Sequence, residues 1–369
     1  MFPSILAQDV RTGLKNFLIS GFEASDAFFS GVVRRFSEQE ERWMKGPWLQ
    51  IGLPFRNGIK GRDYFQNFHI EFDGFVHQEA AWERVCIDKK AANTLVATGT
   101  GSGKTECFVY PLLDHCSQEL KRGEKGIKAL VIYPMNALAN DQAQRFAKLI
   151  FSTPHFKNLR VGLFVGGGHG EVGKGVMMTQ NSVISDRDTM REHPPDVLLT
   201  NYKMLDYLLI RPIDQKIWKL NTPTTMRYIV VDELHTFDGA QGTDLAMLLR
   251  RLKSRLKTPK DHLINVGTSA TMGDDSDTQP LRDYAKQVFG SEFDTDSVIT
   301  EKRLSVNEFL QDMPVEHVFQ HSDGLENSLD PLNYSEPGEA VRTWFSIFFP
   351  AAKVPTLEEV NDLSWRCEL

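Results

Sequence analysis

Residues 94–108 read TLVATGTGSGKTECF, an apolar β-branched run that passes into a glycine-rich turn and then into an amphipathic helix. In such a turn the backbone N–H groups of Thr100, Gly101, Ser102, Gly103 and Lys104 can converge on phosphate oxygens at a positive helix N-terminus, with glycine allowing the close approach. Lys104 is then placed to reach the β- and γ-phosphates, and the Thr105 hydroxyl to ligate Mg²⁺. The pattern departs once from G-x-x-x-x-G-K-[ST], because Thr98 stands at the first glycine. The competing reading is an ordinary strand-to-helix turn; the coincidence of strand, glycine run, Lys-Thr pair and helix weighs against it.

Working outward from this turn, short apolar runs at 94–97, 129–133, 160–165, 196–200, 227–231 and 263–267 alternate with helical stretches at 77–87, 103–115, 137–151 and 242–256. That rhythm predicts an α/β fold with a parallel sheet and helices on both faces. Residues 1–70 are read as an N-terminal extension with helices between Gly21 and Met44, residues 71–275 as the nucleotide-binding domain, and 276–369 as a linker or partial C-terminal extension. Within the last segment, 273–280 reads as a loop and 283–310 as a strand and helix leading out of the domain. The composition, 41% apolar and 25% charged, is that of a chain able to bury a core. With 42 basic against 49 acidic side chains the net charge is −7, so any nucleic acid must be held by a local basic groove rather than by bulk attraction. No apolar run reaches the roughly 18 residues of a membrane helix. Cys86, Cys107, Cys116 and Cys367 form no C-x-x-C pair, which argues against a zinc site and suits buried thiols in a cytoplasmic protein.

Parallel sheets carry their chemistry at the C-terminal ends of strands. The run 227–231 ends in Asp232-Glu233-Leu234-His235, where Asp232 can hold the Mg²⁺ of a bound nucleotide and Glu233 can orient and deprotonate an attacking water. The bland alternative, a capped helical turn, loses weight beside the upstream phosphate cradle. Gly168 to Lys174 repeats the glycine spacing, but Gly175 replaces the hydroxyl residue, so this stretch is read as a glycine loop.

These two sites in this order resemble the superfamily 2 DExH helicases, with a RecA-like motor lobe. The likeness is strongest to the bacterial YprA-type and Lhr-like branch, which includes the very large helicases of anti-phage systems such as Druantia. The resemblance covers about residues 70 to 310 and implies several further roles. Phe75-Val76-His77-Gln78 is similar to the Q motif, in which Gln78 would bond the adenine edge. Tyr133 to Leu138, with Pro134, Asn136, Ala137 and Leu138, resembles motif Ia; Val165-Gly166-Gly167 the GG motif; and Leu199 to Leu205, with Thr200 and Asn201, motif Ib. All three would grip the backbone of a single strand. Thr268-Ser269-Ala270-Thr271 matches motif III, whose Ser269 and Thr271 would couple hydrolysis to strand movement through His235.

The resemblance implies an ATP-dependent DNA helicase or translocase lobe using ATP and Mg²⁺, moving 3′ to 5′ on single-stranded or partly duplex DNA, with RNA left open and no membrane partner. Such a motor needs a second RecA-like lobe, in cis or in trans, whose motif VI supplies an arginine to the γ-phosphate. After Met272 the arginines are Arg282, Arg303, Arg342 and Arg366, none in the Q-x-x-G-R-x-x-R spacing. The expectation is therefore the N-terminal part of a larger motor, weak or inactive alone. The alternative of another class is a non-catalytic nucleotide- or partner-binding module.

Overall fold

The structure is a computed structural model that describes residues 3–22, 26–38, 52–166, 175–270 and 278–309, with scattered positions between 328 and 344. The chain divides into two compact units, Met1–Pro54 with Leu304–Leu369, and Phe55–Arg303. The first unit contains helices α1 (Pro3–Phe22) and α2 (Val32–Ser37). Helix α1 precedes the Gly21–Met44 region in which helices were expected, and 39–51 lies outside the described residues.

In the second unit the elements run α3 (Val76–Val85), β1 (Thr94–Ala97), α4 (Lys104–Lys121), β2 (Ala129–Tyr133), α5 (Asn136–Ser152), β3 (Val161–Phe164), α6 (Arg187–Glu192), β4 (Val197–Asn201), α7 (Tyr202–Ile210), β5 (Tyr228–Val231), α8 (Gly239–Leu256), β6 (Ile264–Ser269), α9 (Gln279–Phe289) and β7 (Val298–Thr300). The strands form one sheet in the order β3-β4-β2-β5-β6-β1-β7, parallel at every pairing. Strands buried on both faces need continuous apolar runs, and Ala129–Tyr133 is buried at every position. The pleat sends alternate residues to opposite faces. Ala129, Val131 and Tyr133 join Trp82, Phe108, Leu112 and Phe146 of α3, α4 and α5 on one side. Leu130 and Ile132 join Leu205, Leu249 and Leu252 of α7 and α8 on the other. This is the parallel α/β architecture that the strand and helix rhythm predicts, and it agrees with the RecA-like lobe that the resemblance implies.

The sheet-bearing unit extends beyond 71–275 at both ends. Residues 283–310, read as a strand and helix leading out of the domain, do hold such elements, but 279–303 return to the sheet as α9 and the edge strand β7. Leu281, Ala285, Val288 and Phe289 of α9 bury against the α8 side of the sheet, and β7 pairs with β1 in the register Leu95↔Val298. Cys86, Cys107 and Cys116 are buried free thiols; Cys367 lies outside the described residues. Among the described residues no helix is long and apolar enough to cross a membrane.

One buried ion pair ties three strand starts together. Lys128 Nζ meets Asp196 Oδ1 at 2.7 Å with both side chains enclosed, and Asp196 Oδ2 accepts the Arg160 N–H at 2.9 Å. Removing one partner strands the other charge in a low-dielectric interior. Asp196→Ala is expected to destabilise this unit by about 3–5 kcal/mol, read as a lowered urea midpoint; an unchanged midpoint would contradict the buried pair.

Candidate nucleotide site and nucleic-acid edge

Strand β1 delivers the chain into the turn Thr98–Gly103, and α4 begins at Lys104. The turn is braced from inside: the Thr98 and Ser102 hydroxyls lie 2.6 Å apart, and Ser102 donates to the Gly99 carbonyl at 2.8 Å. The threonine at the first glycine position is thus a fully buried part of the brace. Gly103 has φ +75°, and a Cβ there would lie 2.3 Å from Gln78 Nε2, so only glycine fits. Gln78 is itself buried; its Oε1 accepts the Phe75 N–H at 2.9 Å and its Nε2 donates to the Gly103 carbonyl at 3.2 Å. His77 Nε2 meets the Ser102 carbonyl at 2.8 Å, and burial pushes its pKa down. On the opposite flank the Gly99 N–H donates to Glu301 Oε2 at 2.7 Å. Burial alone would raise the Glu301 carboxyl, but this N–H and Arg303 outweigh it and hold it below its usual range.

Strands β1, β6 and β5 are adjacent, so the turn sits beside their C-terminal ends. At the end of β5 the chain turns sharply, with Glu233 at φ +50°, a left-handed conformation rare for a residue with a side chain. Thr268 of β6 holds this turn. Its hydroxyl donates to Asp232 Oδ1 and accepts the Glu233 N–H at 2.9 Å. Burial raises the Asp232 carboxyl above its usual range; the Thr268 hydroxyl and the nearby Lys104 ammonium oppose that rise. Lys104 Nζ lies 3.4 Å from Glu233 Oε1, yet it is enclosed and makes no hydrogen bond. Glu233 Oε2 is 3.4 Å from His235 Nδ1, which also lies 3.3 Å from both Ser269 Oγ and the Ala270 N–H. A chain of polar contacts therefore runs from Lys104 through Glu233 and His235 to Ser269.

The residues present suit a magnesium nucleotide. An enclosed ammonium without a hydrogen-bond partner is an anion receptor, and the space beside Gly101, where a Cβ would meet nothing within 4 Å, leaves room for phosphate. Among the described residues no group of three or more His, Cys, Asp or Glu side chains could hold a metal ion. Mg²⁺ is commonly held by one or two protein oxygens plus phosphates and waters, and the Thr105 hydroxyl and Asp232 would be those oxygens here.

The other half of the same edge is formed by β2, β4 and β3, again neighbours in the sheet. Here three segments are tied by a relay of side-chain amides. The Met204 N–H donates to Asn201 Oδ1 at 2.8 Å, Asn201 Nδ2 to Asn136 Oδ1 at 2.6 Å, and Asn136 Nδ2 to the Gly166 carbonyl. Asn201 thereby caps α7, while Asn136 opens α5. Pro134, Asn136 and Leu138 are half-buried and Ala137 exposed, so this turn meets solvent. Thr200 differs: it is fully buried and gives its hydroxyl to the Phe164 carbonyl at 2.6 Å, so it braces the edge without lining it. Gly167 and Thr271, also singled out in the sequence, lie outside the described residues, as does the glycine loop 168–174.

Comparison with known proteins agrees with this arrangement. The DEAD/DEAH box helicase family model matches residues 75–278, more than half of the chain. The chain belongs to the DEAD/DEAH box helicase family. It is similar to Druantia protein DruE of Escherichia coli, 27% identical over 54% of this chain and 16% of DruE. It is also similar to the ATP-dependent helicase Lhr-Core of Sulfolobus acidocaldarius, 30% identical over 56% of this chain and 21% of that protein. For the ATP-dependent helicase YprA of Bacillus subtilis the figures are 28%, 54% and 23%. Among solved structures it resembles the DUF1998 helicase MrfA bound to DNA, 23% identical with a TM-score of 0.46 over 61% of this chain and 25% of that one. The chain thus spans a third or less of the length of each of these relatives.

Three helicase-site residues escaped sequence reasoning. Thr98 looked like a flaw in the glycine pattern, and its Ser102 partner was read only for its backbone. Thr268 was noted within the S-A-T string, but its grip on Asp232 and Glu233 depends on β5 and β6 being neighbours. Glu301 is 202 residues from Gly99 in sequence and has no local signal at all.

Proposed function

We propose that this chain is the ATP-binding first motor lobe of a cytoplasmic DNA helicase or translocase, with Gln78, the turn Thr100–Lys104 and Thr105 receiving ATP. The observation that carries this reading is the enclosed, hydrogen-bond-free ammonium of Lys104 set between the glycine turn and the Asp232-Glu233 pair. Mg²⁺ held by Thr105 and Asp232 would neutralise charge on the β- and γ-phosphate oxygens. Phosphate oxygens would draw Lys104 away from Glu233, freeing that carboxylate to orient a water and take its proton as the water attacks phosphorus. His235, in contact with both Glu233 and Ser269, would report the state of the site to β6 and the strand. The Asn136–Asn201 relay would hold Pro134, Ala137, Leu138 and Gly166 against the backbone of a single strand. Lys104→Ala is expected to abolish Mg-ATP binding in calorimetry, because the only charge aimed into the cradle from α4 is lost; unchanged affinity would remove the assignment.

The strand-contact half is testable separately. Asn136→Ala breaks two links of the relay, so single-stranded DNA affinity is expected to fall about tenfold, the effect of losing one or two well-placed hydrogen bonds. Fluorescence anisotropy reads this, and equal affinity in both proteins would dismiss the relay as a strand platform. Side-by-side titration with RNA decides between the two nucleic acids through the 2′-hydroxyl.

A further inference from the structure

A chain of net charge −7 needs a local basic groove to hold nucleic acid beyond the contacts proposed at the sheet edge. Away from that edge, a groove of about 980 Å³ runs along α8 between α7 and the segment before β5. It is lined by Lys219, Arg250, Arg251, Arg255 and Lys257, with no aspartate or glutamate. Arg251 pairs with Asp206 at 2.6 Å, but Arg250 and Arg255 are fixed by neutral acceptors, the Gln287 carbonyl at 3.1 Å and Gln215 Oε1 at 3.0 Å. Their guanidinium groups are thus held in place with their charge uncompensated. A helix C-terminus favours a cation or two, but only within its last turn; Arg250 lies well before it.

We propose that this groove is a second nucleic-acid contact, a track for the sugar-phosphate backbone of the duplex adjoining the single strand held at the sheet edge. The inference rests on the strand-contact reading above and extends it. Charge selects the occupant; a smaller cavity at the start of α7 beside Asn201, lined by Tyr202 and Lys203 but also by Asp206 and Asp244, shares Met247 and Arg251 with the groove. The two cavities adjoin along α8. From Arg250 to Lys257 the chain rises about 10 Å, the span of about three phosphates of one strand. Arginine forks suit phosphate oxygens, and a groove lined by five basic side chains and no carboxylate, with Arg251 paired to Asp206 at its margin, suits a polyanion.

The test uses residues 1–369 and the triple variant Arg250→Gln/Arg255→Gln/Lys257→Gln, with two labelled ligands followed by anisotropy across a salt series. One ligand is a single strand of about ten nucleotides, within the site size of one such contact; the other joins that strand to a duplex of about twenty base pairs. The variant is expected to bind the short strand and ATP as the wild type does. On the duplex ligand its affinity should fall at least tenfold, and its salt slope should become shallower by about two to three, one per lost phosphate contact. If the variant melts early, Arg255→Gln and Lys257→Gln singly should each lower the slope by about one. An unchanged duplex slope with normal short-strand binding overturns the groove alone. Failure of the wild type to bind either ligand overturns the strand-contact reading with it. Loss of polyglutamate binding in the variant, with the duplex unaffected, would overturn the proposal in favour of an acidic protein segment.

Discussion

Supplying a second RecA-like lobe, fused or in trans, is expected to raise DNA-stimulated ATP turnover of residues 1–369 by about 10³ to 10⁵. The reason lies in where positive charge is available. The transferring phosphoryl group spreads charge over its oxygens, and in this class an arginine delivered from the facing lobe stabilises it. Within Phe55–Arg303 the charge at the cradle comes from Lys104, which lies on the β1–α4 side of the site. Arg303 is engaged beside the turn, with Glu301 Oε1 at 2.6 Å and its guanidinium 4.1 Å above the Phe55 ring. After Met272 no arginine has the spacing of motif VI. Turnover of several per second by monomeric 1–369 with single-stranded DNA would refute the expectation, and would mean that an arginine from the tail or from a second copy reaches the site.

Glu233→Gln is expected to leave Mg-ATP affinity within about twofold while lowering turnover of the two-lobe motor by about 10² to 10⁴, the usual contribution of a positioned general base. The amide keeps the length and shape of the side chain and tolerates the left-handed backbone at φ +50° as well as glutamate does. Its carbonyl oxygen stays near Lys104, which lies 3.4 Å from Glu233 Oε1, and can hold a water. What it cannot do is take the proton. Because affinity and turnover separate, the result distinguishes a base from a binding group, and equal turnover in both proteins would end the assignment. The buried acid beside it behaves differently: Asp232 sits under the Thr268 hydroxyl, so Asp232→Asn should weaken magnesium-dependent nucleotide binding as well as turnover.

Much of this was legible in the chain. A parallel sheet buries both faces of its strands, so the runs 129–133, 196–200 and 227–231 had to be continuously apolar, and each became a strand within a residue or two of its expected bounds. The glycine turn and the acid pair were legible because their chemistry is local: a strand, a turn and a helix start suffice to aim Lys104, and a strand end suffices to present Asp232. Segment 279–303 was harder to read. Strand β7 is only Val298–Thr300, too short to show periodicity, and its place in the sheet depends on the edge of β1, which the sequence does not display.

The sequence by itself determined the parallel α/β class, the glycine turn after β1 and the order in which the acid pair follows it, because each rests on contiguous residues whose local geometry is set by backbone propensity. Only the tertiary structure decided how those parts meet. Strand order put β6 between β1 and β5, so that Thr268 could hold Asp232 and Glu233 while Ser269 reached His235. The same order made β2, β4 and β3 neighbours, joining Asn136, Asn201 and Gly166 in one relay. It also showed Thr200 to be a buried brace and gathered scattered arginines and lysines into a groove free of acidic side chains. Contacts between residues tens to hundreds of positions apart depend on which strands become neighbours, and that choice is made by burial of the whole sheet rather than by any stretch of sequence.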